Sequence, residues 1–359
     1  MSETHQLTFH PDKEGNLRLP QRCGFDALCY EDQEVRKAVA AALEQTFYAL
    51  AMVGIDLRAL DGVTLTRDCR ASASSLQHIP EGQIPLEMSD RPETMEMART
   101  VAVCREDEWR FHIVVRAGLG LMTLSADKEQ RDLAYACLAH EAAHVEHEGH
   151  LYRTFPSIYG CPLECGTRSR QTFLKALDVW SEYAACRSSA MFRPAAMEEF
   201  EGMFCRSVED SFCACKERIA AYRSDRKVLQ AFADIQQIFG DLFICAGYFL
   251  GHLDGLELNL EEHAPRVSAL LHQHPAIENI VCRLERVLHE LWLNEYGWKS
   301  VEVFAPIYDL ICEMMALHGF AFARNDTEWR IVMCEDDGAA SVVQDALKSW
   351  MTKPGRPRD

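Results

Sequence analysis

The run His140-Glu141-Ala142-Ala143-His144 constrains this chain more than any other stretch of its sequence. In an α-helix, residues four apart lie one above the other on the same face, so the imidazoles of His140 and His144 can reach a single zinc ion at about 2 Å. Glu141 then lies beside that ion, where a general base for an activated water is needed. The pentapeptide therefore predicts a helix that carries a metal site.

The residues before the pentapeptide favour a helix. Residues 126–145 contain neither Gly nor Pro, and they follow Ser125, a candidate N-cap. The helical repeat places four side chains of this segment on one stripe: Leu133, Cys137, His140 and His144. Because two of the four are apolar, we expect the histidines to continue a buried face.

A strand is predicted directly upstream, over Glu108 to Arg116. Here Phe111, Ile113 and Val115 alternate with Arg110, His112 and Arg116, which is the two-residue repeat of a strand. Strand, turn and helix is the order that zinc peptidases use. We expect this strand to be the sheet edge to which an extended peptide would add.

Composition indicates a folded protein without an obvious polyanionic partner. The 359 residues are 48% hydrophobic and 26% charged, which is ordinary for a globular chain. A net charge of −18 spread along the sequence argues against nucleic acid and anionic membranes as partners. Residues 1–20 contain no apolar signal segment, so we expect a cytoplasmic protein, and the fifteen cysteines are expected to be reduced thiols.

The order of predicted elements indicates an α+β fold, zincin-like, with a small N-terminal mixed sheet, an active-site helix and a large mainly helical C-terminal half. Helices are predicted over 31–55, 126–148, 171–192, 195–223, 226–253, 276–296, 301–318 and 339–350. Strands are predicted over 63–66, 100–104 and 108–116, with a hairpin over 320–334 and a polar surface segment over 70–98.

Two domains are expected from this order. The catalytic domain spans 1–265, with an α+β part (1–124) and a helical part (125–265), and residues 266–359 form a helical region with a β-hairpin. The most apolar window, 238–250, is shorter than the roughly 20 residues that cross a bilayer, so it is interpreted as a buried helix. No feature of the sequence sets an oligomeric state.

A catalytic zinc ion needs a third protein ligand, and three residues compete for this role. His147 lies one turn after His144, but three ligands in a row on a straight helix cannot surround one ion. His150 has the spacing of the third ligand in H-E-x-x-H-x-x-G-x-x-H metalloproteases, although the glycine of that motif falls at His147. Glu182 shares one helical face with Val179 and Cys186.

Residues near Glu182 support its role as the third metal ligand. Asp178 lies one turn before it, and two acids so placed repel each other unless a cation such as a metal ion or Arg187 lies nearby. Asp178 could also orient a metal-bound imidazole.

Glu182-Tyr183-Ala184-Ala185, together with the pentapeptide, resembles the gluzincin type of zinc peptidase, in which a glutamate from a later helix completes the site. The nearest likeness is to the ImmA/IrrE-like metallopeptidases, and it covers about residues 100–190. The resemblance implies one zinc ion per chain held by His140, His144 and Glu182, with Glu141 as general base. Tyr183 is then a candidate donor to the oxyanion. The chain departs from that family in its long 151–170 connection and in lacking the usual DNA-binding or sensor appendages.

These residues predict a hydrolase, a zinc-dependent metalloprotease that acts on a peptide or protein substrate. Two rival hypotheses stay open. One is a catalytically inactive zincin-like protein that serves as a protein-interaction scaffold, although a purely structural zinc site has no need of Glu141. The other is a zinc hydrolase of a non-peptide substrate, because the motif specifies activated water and leaves the substrate to the shape of the pocket.

Overall fold

The computed structural model of the protein describes residues 5–7, 9, 18–76, 97–158, 170–324 and 329–333. These residues form a mixed α+β structure in which helices predominate. The predicted fold class is confirmed at this level. The chain forms two compact units, the first from 1–163, 184–196 and 251–257, the second from 164–183, 197–250 and 258–359.

A five-stranded mixed sheet belongs to the first unit. Its strands are β1 (His5–Leu7), β2 (Cys23–Asp26), β3 (Leu60–Thr66), β4 (Ala98–Arg105) and β5 (Glu108–Arg116). Their order across the sheet is β1-β2-β3-β5-β4, with β2, β3 and β5 parallel to one another and β1 and β4 antiparallel to their neighbours.

The prediction that β5 is a sheet edge is wrong, because β5 lies between β3 and β4, and β4 is the terminal strand in the described part of the sheet. The two strands form a hairpin whose turn residues, Glu106 and Asp107, both have positive φ (51° and 66°). Tight hairpin turns need this conformation and usually mark it with Asn-Gly or Asp-Gly, so the sequence carried no signal for the turn. As an inner strand, β5 is buried on both faces, and Val114 and His112 are buried along with Ile113.

Helices cover both faces of the sheet. Helix α1 (Gln33–Met52) and helix α4 (Lys128–Thr154) share one apolar core with β3 and β5, and short helix α3 (Ala117–Met122) precedes α4. On the other face, α2 (Cys69–Leu76) packs against β4 and β5 in a smaller apolar cluster. The segment predicted as polar loop over 70–98 thus begins with a helix, since Cys69 and Ala73 are buried on its inner side; residues 77–96 lie outside the described part.

Helix α4 begins later and ends later than predicted. Its N-cap is Asp127, whose carboxylate accepts a hydrogen bond from the Glu129 main-chain N–H at 2.9 Å. Ser125, the predicted cap, accepts a hydrogen bond from the Asp127 N–H and so stabilises the turn before the helix. The buried stripe of α4 consists of Ala134, Leu138, Ala142 and Val145, while His140 and His144 are half-buried beside it.

The second unit is built from helices. Its elements are the first part of α5 (Arg170–Ser189), α6 (Met197–Asp225), α7 (Val228–Gly255) as far as residue 250, α8 (Leu260–His263), α9 (Pro265–Gln273), α10 (Pro275–Leu293), α11 (Ala305–Leu317) and the hairpin β6 (Phe320–Arg324) and β7 (Trp329–Met333). The predicted boundary at 265/266 falls in the first turn of α9, and both α8 and α9 belong to this unit. The predicted helix over 339–350 lies outside the described residues.

Helix α7 has the length and hydropathy of a membrane-crossing segment, and within the described part of the chain it is the one helix that does. Such a helix is weak evidence of a membrane, because the core helices of folded domains meet the same criteria. Its Phe239, Phe243 and Phe249 side chains are buried, and Asp241 on it pairs with Lys175 at 3.2 Å.

A polar network crosses the inner strands of the sheet. The Asp61 carboxylate is held by the Arg105 guanidinium through two hydrogen bonds of 3.0 Å, and one of its oxygens lies 2.9 Å from Nδ1 of His112. The other ring nitrogen of His112 lies 2.9 Å from Oγ1 of Thr64. Burial raises the pKa of Asp61, but the hydrogen bonds from His112 and Arg105 outweigh it and bring the pKa down to about 2.

Replacing Asp61 with Asn is expected to destabilise the fold in a pH-dependent way. A carboxyl whose pKa is lower in the folded protein stabilises the fold above its ordinary pKa, near 3.8, and this contribution disappears as pH falls toward 2. Urea unfolding at pH 7, 4 and 3 should therefore show a difference between wild type and Asp61→Asn that shrinks with acidity. A difference independent of pH would contradict this assignment.

Substitution of Asp127 tests the N-cap of α4. Asp127→Ala removes the acceptor for the Glu129 N–H and should lower the free energy of unfolding by about 1 kcal/mol, whereas Asp127→Asn keeps an acceptor and should cost less. Chemical denaturation of the three proteins measures both values. Equal losses in the two variants would show that the cap hydrogen bond contributes nothing.

Candidate metal centre

His140 and His144 face each other on α4. Their Nε2 atoms lie 3.1 Å apart, and their rings meet edge to face with centroids 4.6 Å apart. Two nitrogens held at about 2.0–2.1 Å from one tetrahedral ion would be about 3.3 Å apart, so the observed separation suits a shared ion. Both side chains are half-buried.

The C-terminal half of α5 lies against α4. His147 on α4 makes a hydrogen bond with the main chain of Ala184, and its Nε2 lies 3.3 Å from Oγ of Ser188. Between these two contacts, Sγ of Cys186 lies 3.8 Å from Nδ1 of His140. These contacts determine which face of α5 is turned toward the histidines.

Glu182 lies one turn before Cys186 on the same face of α5. One nitrogen each from His140 and His144 and one oxygen of Glu182 all lie within 4.8 Å of one another, and the three side chains are half-buried. The structure thus brings together the two histidines and the glutamate that the sequence singled out.

The donor set suits zinc. Two imidazole nitrogens and one carboxylate oxygen form a combination found in catalytic zinc sites, which keep a fourth position for water or substrate. The contacts of the described residues therefore fit a metal ion at this place, and the identity of the metal stays a prediction.

The Glu141 side chain contacts the sheet. Its side chain is buried, and the Oγ1 of Thr100 on β4 lies 2.9 Å from its Oε2 and 3.0 Å from its main-chain oxygen. A single hydroxyl proton can satisfy only one of these two acceptors at a time. Thr100 was not recognised from the sequence, although its place between Ala98 and Ala102 in a strand puts it on the face turned to α4.

His150, the competing third ligand, is turned elsewhere. Its Nε2 lies 3.9 Å from the carboxylate of Asp56, which also binds Arg58 and Arg153. Burial and the Arg153 charge lower the pKa of His150 to about 4. Among the described residues, the group that could hold a metal does not include it.

The length of α4 explains why the His150 side chain is turned away from the other two histidines. In the H-E-x-x-H-x-x-G-x-x-H pattern, the glycine lets the chain leave the helix after the second histidine. Here α4 continues to Thr154. Gly149 lies inside the helix, where a Cβ would come within 2.9 Å of the Ala59 Cβ, so it permits close packing and makes no turn. His147 is likewise held in the helix, and burial lowers its pKa to about 3, so it stays neutral.

The remaining candidates on α5 have structural surroundings. Arg187 pairs with Asp254 at 2.7 Å. Asp178 is exposed, and the ring of Tyr183 is fully buried with its centroid 5.8 Å from that of Trp180. Tyr183 is thus a core residue of the second unit, and its role toward an oxyanion stays a prediction.

Metal content is the direct test of this centre. The purified protein is expected to bind about one zinc ion per chain, and Glu182→Ala should reduce the bound zinc because it removes one of three ligands. His150→Ala should keep the zinc. Glu198→Ala, which removes an exposed acid on α6, is the control. Loss of zinc in His150→Ala but not in Glu182→Ala would contradict the ligand set.

No family model, no curated protein and no solved structure matches this chain. The likeness of residues 100–190 to the ImmA/IrrE-like metallopeptidases accordingly stays a prediction from the motif residues. A function can therefore be proposed only from the residues and geometry of the centre itself.

Proposed function

We propose that this protein is a zinc-dependent metallopeptidase of the gluzincin type. The observation that carries the proposal is the grouping of His140, His144 and Glu182 within 4.8 Å, beside a buried glutamate that follows the first histidine. Zinc, when bound, activates water and polarises a carbonyl group. A glutamate beside the ligands has a use in hydrolysis and none in a purely structural site.

Glu141 is the general base of the proposed reaction. Its carboxylate takes a proton from the attacking water and returns it to the leaving amine. The contact with Thr100 holds one carboxylate oxygen against β4, which leaves the other oxygen as the one that would accept the proton. Both histidines are half-buried and thus partly accessible, as approach of a substrate carbonyl requires.

The terminal strand of the sheet supports a peptide as substrate. Strand β4 is the outer partner of β5 in the described sheet, and its Thr100 touches Glu141. An extended peptide that adds to β4 through main-chain hydrogen bonds would have its backbone beside the general base. This replaces the expectation that β5 binds the substrate, and it favours extended peptides over compact non-peptide substrates.

Glu141→Gln is expected to keep its zinc and to lose hydrolysis. Removal of a general base lowers the rate by about 10²–10⁴-fold, while the three ligands are unchanged. The measurement is cleavage of a mixed library of unstructured peptides, read by mass spectrometry, with zinc content determined on the same samples. Glu148→Gln, on the same helix and also not fully exposed, is the control and should cleave like the wild type.

Three outcomes would contradict the proposal in different ways. Equal cleavage by wild type and Glu141→Gln would remove Glu141 from the mechanism. Zinc binding without any peptide cleavage, but with Glu141-dependent cleavage of small esters or amides, would indicate a non-peptide hydrolase. Zinc binding without either activity would favour the inactive scaffold.

A further inference from the structure

The two ring nitrogens of His140 face different partners. Nε2 faces the Nε2 of His144 at 3.1 Å, and Nδ1 faces the Sγ of Cys186 at 3.8 Å. If Nε2 offers its lone pair to a metal ion, the ring proton must be on Nδ1. That N–H then points at the sulfur of Cys186, at a distance suited to the larger radius of sulfur.

We propose that Cys186 is a positioning residue of the metal centre, whose sulfur accepts the Nδ1–H hydrogen bond of His140 and so holds that ring with Nε2 toward the ion. This inference rests on the proposed metal site. Histidine ligands usually donate their second N–H to a carboxylate, a main-chain carbonyl or water, and this partner fixes both the tautomer and the ring orientation. Here a thiol takes that place.

Burial makes the thiol an effective partner. Cys186 is 2% exposed, so water has little access to compete for the Nδ1–H. Its Cα belongs to α5, whose neighbouring residues Ala184 and Ser188 are held by His147, so the sulfur has a fixed position relative to α4. A rigid acceptor restricts the imidazole more than a mobile water would.

The same face of α5 contributes to the centre twice. Glu182 and Cys186 are four residues apart, so the glutamate reaches the ligand group while the sulfur supports a histidine in it. A small shift or rotation of α5 would therefore alter a direct ligand and the orientation of another at once.

Zinc affinity of the full-length protein tests the proposal without any need for a substrate. Competition with a chromophoric chelator gives the dissociation constant for wild type, Cys186→Ala and Cys186→Ser. We expect Cys186→Ala to bind zinc about 10–100-fold more weakly, as loss of such a partner usually does. Cys186→Ser retains a hydrogen-bond acceptor, so its zinc affinity should be close to that of the wild type. Cys69→Ala, at a similarly buried thiol of the same unit that lies on α2 and packs against the sheet, should bind like the wild type.

A second readout separates positioning from general destabilisation. In ¹⁵N-histidine spectra of the zinc-loaded protein, we expect His140 as the Nδ1–H tautomer in wild type, with faster exchange of that proton in Cys186→Ala. If Cys186→Ala fails to fold, Cys186→Val fills the space without an acceptor and takes its place.

Equal zinc affinity in wild type and Cys186→Ala, or an equal loss in Cys69→Ala, would overturn the role of Cys186 alone. Failure of the wild type to bind zinc would overturn the metal centre and this inference with it.

Discussion

The packing of α4 against β4 and β5 is the constraint on which the candidate centre depends. The small side chains Ala134 and Ala142, with Leu138 and Val145, let the helix lie close to the sheet. The histidines are then left on the flank of the helix, half-buried, while Glu141 is turned inward to Thr100. One helix thus sets the relative positions of His140, His144 and Glu141, the two candidate ligands and the candidate base, and no loop has to be ordered to bring these three together.

Features that depend on local periodicity could be predicted from the sequence. The strand over Glu108–Arg116 and the helix that carries the histidines follow from two-residue and four-residue repeats. The four-residue repeat also places Glu182 on one helix face with Cys186, and both are turned toward α4 in the structure. The face of a helix on which a residue lies follows from the local sequence. A ligand such as Glu182, far along the chain from the histidines, can therefore be proposed once its helix is recognised.

Features that depend on contacts between distant residues could not be predicted in this way. The position of β5 inside the sheet follows from its pairing with β3 and β4, and no repeat in the sequence encodes strand order. The Thr100 contact with Glu141 joins residues 41 apart, and the link from Asp61 to His112 spans 51. The spacing of His150 is compatible with a ligand role. Because α4 continues to Thr154, however, the His150 side chain is directed away from His140 and His144.

The packing at Gly149 affects how widely the centre tolerates mutation. A methyl group there would lie 2.9 Å from the Ala59 Cβ, so α4 or its neighbour would have to move. Gly149 is five residues from His144, or about 7.5 Å along the helix axis, and a stiff helix transmits such a displacement to its side chains. In the proposed metal centre, substitutions that weaken metal binding are therefore expected to include positions such as Gly149 that do not contact the ion.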